Sequence, residues 1–133
     1  MKRYIRSSYS DEQREIAKNL TYEDIRNNFY NSPRYRYDIG RDLGKTEDEA
    51  KLALPKCAKP LTNYEDISNG DLFLAYSRYW QTYIVFRYNG RPTGKCFDSC
   101  GYGYDLVFRS DKYPYVWVER QSDAYYPVYK LID

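Results

Sequence analysis

The sequence predicts an α+β fold: N-terminal short helices packed on a C-terminal antiparallel β-sheet, a meander of four or five strands. Three observations carry this reading. From Asp71 to Ile132 the chain runs through stretches rich in Tyr, Val, Ile, Phe and Trp, broken at Asn89-Gly90, Ser110-Asp111 and Ser122-Asp123, the pattern of hairpin-linked strands. Before it, Ser10 with Gln13, Thr21 with Asp24 and Thr46 with Glu49 repeat the spacing of a helix start, where side chains three apart satisfy otherwise free N–H groups. Finally, 42% hydrophobic residues in a chain of 133 suffice for the core of one domain, 1–133. Its helical portion is expected over 10–69 and its sheet over 71–132.

In chain order, MKRYIRSSY alternates only partly and reads equally as an edge strand or an ordered arm. Ser10 then caps a first helix whose Ile16 and Leu20, four apart, give a narrow apolar stripe. Thr21 caps a second, with Tyr22, Ile25 and Phe29 on one face. Pro33, Gly40 and Gly44 punctuate a polar, aromatic loop. The third helix starts at Thr46, continues through Ala50, Leu52, Ala53 and Leu54, and is ended by Pro55. KCAKP at 56–60 reads as a linker. TYEDIRN at 21–27 and NYEDISN at 63–69 are alike; convergence on capping chemistry accounts for this better than a duplication, because the flanking residues diverge.

Strands are expected at 72–79 and 82–88, the second with Ile84, Phe86 and Tyr88 on one face and Tyr83, Val85 and Arg87 on the other. The stretch from 91 to 103 reads as a long loop. Further strands follow at 104–109, 113–119 and 125–132. Pro114 and Pro127 cannot donate to a ladder, which argues against a flat central position for both of the last two.

Charge narrows the function. The 21 basic and 19 acidic side chains leave a net +2, and they balance within each half, so no basic arm for duplex DNA is written here. No apolar segment suits a secretory signal or a membrane span. Three cysteines, an odd number in a chain that needs no staple, fit a reducing, cytoplasmic setting. With no histidine, Ser-His-Asp, Cys-His and His-dependent zinc chemistry are excluded. Cys96 and Cys100, in CFDSC, read first as free thiols, with a bridge or a zinc site sharing Cys57 and Asp98 as lesser alternatives. GRPTGKC and GYGYD match no phosphate-binding loop. The acidic pairs Glu23-Asp24, Glu65-Asp66 and the run Glu47–Glu49 are explained by helix starts. No catalytic residue, cofactor or metal ligand is assigned.

Tyrosine is the unusual feature: 18 residues, more than a two-faced sheet can bury with every hydroxyl satisfied. Exposed Tyr beside Arg is interface chemistry, since the ring buries area at low entropy cost and Arg offers directional donors. Two groups follow. SPRYRYDIGR and its neighbour supply Tyr30, Arg34, Tyr35, Arg36, Tyr37 and Arg41; the sheet supplies Arg78, Tyr83, Arg87, Arg109, Tyr115 and Trp117, with Arg78, Arg87 and Arg109 forming a basic stripe if the register aligns them.

In size and aromatic content the chain resembles the small proteins by which phages and mobile elements inhibit host defence machinery, a likeness of style that implies binding to a protein surface. The expected function is thus a non-enzymatic protein-binding domain using exposed Tyr and Arg. RNA or single-stranded DNA binding by the same surface is the alternative. A small hydrolase or transferase with its site in the 94–105 loop, around Cys96 and Asp98, is a third reading.

Overall fold

The computed structural model describes residues 11–28, 47–52, 54–79, 82–90, 94–98, 101–108 and 115–133. They form helices α1 (Asp11–Lys18), α2 (Tyr22–Asn28) and α3 (Glu47–Lys51). Eight strands follow: β1 (Ala58–Pro60), β2 (Leu72–Ser77), β3 (Thr82–Tyr88), β4 (Lys95–Asp98), β5 (Gly103–Val107), β6 (Trp117–Arg120), β7 (Asp123–Tyr125) and β8 (Val128–Leu131). All join one antiparallel sheet in the order β1-β8-β2-β3-β4-β5-β6-β7.

The sheet therefore has eight strands, not four or five, and it is a meander only from β2 to β7. Three short pieces account for the difference. β1 arises from KCAKP, expected as a linker. β4 runs through the expected 91–103 loop. The expected strand 125–132 is two strands, β7 and β8, on either side of the cis Tyr126-Pro127 peptide bond. Strands of three or four residues are too short to display an alternation. β1 is also at the sheet edge, where Pro60 needs no ladder donor.

The chain path forces the sheet to curl. Only Tyr126 and Pro127 separate β7 from β8, and three Cα steps reach at most about 10 Å. In a flat sheet of this order β7 would lie roughly 29 Å from β8, at about 4.8 Å per strand. β7 instead comes round against β2, and the Tyr76 N–H donates to the Pro127 carbonyl at 3.1 Å. Residues 123–131 thus act as one bent strand whose first half pairs with β6 and whose second half pairs with β2.

Curling gives the sheet an inside and an outside. Inside, Phe73, Phe86, Cys96, Tyr104, Leu106, Val118, Tyr125 and Val128 pack together. Phe86 is central: its ring lies 5.5 Å from Phe73, 4.8 Å from Tyr104 and 6.0 Å from Tyr125. Outside, Leu72, Leu74, Tyr76, Tyr83, Val85 and Leu131 meet Ala17, Ile25 and Ala50 from the three helices. The expected split of β3 holds, with Ile84, Phe86 and Tyr88 inside and Tyr83 and Val85 outside.

The helices follow their sequence signals in part. In α2, the Asp24 N–H donates to Thr21 Oγ1 at 3.1 Å and the Thr21 N–H to Asp24 Oδ2 at 3.0 Å, the reciprocal cap the spacing implies. In α1 the inward residue is Ala17, fully buried, whereas Ile16 is 57% exposed. The small side chain lets this short helix lie close to the sheet. Ser10, Phe29, Thr46 and Ala53 lie outside the described residues.

Between β3 and β4, Asn89-Gly90 opens the turn its sequence announces. A Cβ on Gly90 would collide with the backbone of Gly94 and Lys95, and Gly94 has φ of +78°, a conformation glycine adopts without penalty.

Candidate functional site

At one end of the curled sheet, where the β7–β8 joint meets α3, a cleft of about 480 Å³ opens. The buried Leu61, Val116 and Val128 form its apolar floor, and Tyr115 and Tyr126 also line it. Glu47 and Lys51 face it from α3, and Arg78 enters from the residue after β2.

Arg78 is held on three sides. Its guanidinium carbon lies 4.0 Å from the centre of the Tyr126 ring and 5.8 Å from that of Tyr76, within the range of a cation–π attraction. Its Nη1 donates to the Tyr126 carbonyl at 3.2 Å, and its Nη2 meets Glu47 Oε1 at 3.4 Å. The ion pair is solvent-accessible on both sides and contributes at most about 1 kcal/mol; the stack and the carbonyl bond do more to fix the side chain. Beneath it, Tyr76 is buried. Burial raises its hydroxyl pKa, Glu47 adds to the rise and Arg78 opposes it.

The aromatic wall continues outward. Tyr115 is 42% exposed and lies 5.0 Å from Tyr126 and 6.0 Å from Trp117, centre to centre. Trp117 is only 7% exposed, and its indole N–H donates to Glu119 Oε1 at 2.8 Å. It supports Tyr115 more than it offers a surface of its own. Arg78 and the pair Tyr115 and Trp117, expected as interaction residues from two different strands, are thus neighbours in space.

The others are placed differently. Tyr83 is 1% exposed and lies under the helices, where burial raises its hydroxyl pKa, with Tyr129 adding to the rise. Arg87 sits opposite Leu72 at the start of β2, whereas Arg78 follows the end of that strand. Those two do not form a stripe. Arg87 instead borders a polar recess with Tyr22, Arg26 and Asp71. Arg109 and the 30–41 group, Tyr30, Arg34, Tyr35, Arg36, Tyr37 and Arg41, lie outside the described residues.

Tyr126 and Glu47 are the residues that sequence reasoning missed. Pro127 was the available signal, since a proline in an apparent strand marks an irregular joint at which neighbouring side chains can be redirected. Nothing local to Glu47 distinguishes it from a helix-start carboxylate.

The 94–105 region carries no assembled chemistry among its described residues. Cys96 is a buried, free thiol whose Sγ lies 3.7 Å from the Tyr104 carbonyl, so it forms no bridge with Cys100; burial, reinforced by Asp105 and Asp98, pushes its pKa up and away from the reactive thiolate. Asp98 accepts from the Tyr102 N–H at 3.0 Å and the Tyr104 hydroxyl at 3.1 Å, organising the turn. Asp105 pairs with Lys95 at 2.6 Å. No group of three or more Cys, Asp or Glu is arranged to hold a metal ion among the described residues. No described helix is long and apolar enough to cross a membrane. No family model, no curated protein and no solved structure matches the chain.

Proposed function

We propose that the chain is a protein-binding domain whose recognition surface is the cleft of Arg78, Tyr115 and Tyr126. The observation that carries this reading is the Arg78 guanidinium clamped on Tyr126 at 4.0 Å above an apolar floor, with exposed Tyr115 extending the wall. An ordered Arg and a rigid aromatic wall lose little freedom on association, and the exposed Tyr115 ring rewards burial, which is how interface hot spots work. Tyr64, Tyr79 and Tyr102 are also exposed, but none of them lines this cleft.

Binding without turnover is all that an inhibitor of the phage or mobile-element type requires, and such a role is the finer form of the proposal. The free thiols of Cys57 and Cys96 are compatible with a cytoplasmic setting. The Arg-Tyr stretch from Tyr30 to Arg41, which precedes α3 in sequence, is proposed as a second part of the surface.

Affinity capture from the source cell, with nuclease-treated and untreated extracts in parallel, tests the reading. Arg78→Ala and Tyr115→Ala should each lose the captured protein with little change in melting temperature, and nuclease should make no difference. Capture that survives both substitutions, or that vanishes with nuclease, would sink the proposal.

A further inference from the structure

We propose that the Arg78 cleft takes an acidic peptide segment, with one carboxylate held by Arg78 and Lys51 and an adjacent aromatic side chain laid against Tyr115; this rests on the cleft being the binding surface. The first support is charge. Among the described residues the charged groups lining the cleft are Glu47, Lys51 and Arg78. Glu47 is already paired with Arg78. Lys51 has no acidic partner among the described residues, so these three groups together leave one net positive charge, which favours an anion.

The second support is the state of Arg78. Its stack on Tyr126 and its 3.2 Å bond to the Tyr126 carbonyl hold the guanidinium in place before any ligand arrives. Its contact with Glu47 is long at 3.4 Å, with Arg78 half exposed and Glu47 one third exposed. An incoming carboxylate that forms shorter, charge-assisted bonds can replace that contact at small cost.

The third support is shape. An inorganic anion would leave the Tyr115 ring, 42% exposed, uncovered, whereas an aromatic or aliphatic side chain beside the carboxylate covers it. The cleft of about 480 Å³ has the size of a site for a few side chains. A nucleic-acid backbone would require cations in a row, but Arg87 stands at the opposite end of β2. A peptide therefore fits better than a polynucleotide.

The test is an NMR titration of the ¹⁵N-labelled chain with four probes: acetyl-Gly-Phe-Asp-Gly-amide, its Phe-Asn counterpart, its Ala-Asp counterpart, and oligothymidylate. The Phe-Asp peptide should move the Arg78, Tyr115 and Val128 resonances saturably. Loss of the carboxylate, loss of the aromatic ring, or Arg78→Met should each weaken binding about tenfold, the effect of one charge-assisted contact or one buried ring. Equal binding of the Phe-Asn peptide, no shift at millimolar Phe-Asp peptide, or oligothymidylate moving the same resonances more tightly would each overturn the proposal. If the peptides fail while Arg78→Ala still abolishes protein capture, only the acidic class falls. If Arg78→Ala leaves capture intact, the binding-surface reading falls with it.

Discussion

The two faces of β2 and β3 are built from the same alternating residues, yet they are covered in different ways. The inner face is closed by the sheet itself: Phe73 and Phe86 meet Cys96, Tyr104, Val118 and Tyr125 from strands spread along the chain. The outer face is closed by helices of eight, seven and five residues, each too short to persist alone. The inner core thus forms only when the whole sheet curls, and it is common to every strand neighbouring it. The outer core depends on a few inward side chains, Ala17, Ile25 and Ala50, holding short helices in place.

Truncation is the most direct way to break this comparison. Phe86→Ala should cost about 3–5 kcal/mol, because it removes the ring that contacts three others. Ile25→Ala, although equally buried, should cost about 2–3 kcal/mol, since a short helix can settle into part of the space. Denaturant midpoints check both; an Ile25→Ala loss as large as that of Phe86→Ala would show the two cores to be one cooperative unit.

Alkaline pH probes both faces together. Burial raises the hydroxyls of Tyr104 and Tyr125 inside, and of Tyr76 and Tyr83 outside, above the ordinary value of 10.0. Above that pH the unfolded chain releases protons that the folded chain retains. The contribution of these tyrosines to stability is therefore intact below pH 10 and falls as the pH rises past it, by at most about 1.4 kcal/mol per pH unit for each, until its folded hydroxyl also titrates. Urea midpoints on either side of pH 10 should show the fall. Tyr83→Phe and Tyr104→Phe should each remove one share of it; if only one does, the two faces are not equally dry.

The smallest expected effect concerns the matched segments TYEDI and NYEDI. In the first, Thr21 and Asp24 cap each other's N–H groups and α2 follows. In the second, Asn63 makes no side-chain cap bond and only a 3₁₀ turn, Tyr64–Asp66, forms. Both deliver a fully buried isoleucine, Ile25 to the outer core and Ile67 to the inner. Thr21→Ala should cost about 1 kcal/mol, and Asn63→Ala less than about 0.5 kcal/mol. Equal losses would mean that the two turns are stabilised alike despite their different bonds.

What the sequence determined by itself was local. The caps at Thr21, the alternation of β3 and the glycine turn at Asn89-Gly90 were legible because each depends on residues within a few positions of one another. The exposure of some tyrosines also followed from composition, since 18 exceed what a chain of 133 residues can hide. Which tyrosines those are was not legible: Tyr83 and Tyr115 have similar neighbours in sequence, and only the helices over the outer face make one core and leave the other exposed. Tertiary structure alone decided that residues 123–131 bend at Tyr126-Pro127 and bring β7 back to β2. That bend brings Tyr126 to Arg78, 48 residues earlier in the chain. A site made by sheet closure is non-local, because a strand records which faces its side chains take but not which distant strand will stand beside it.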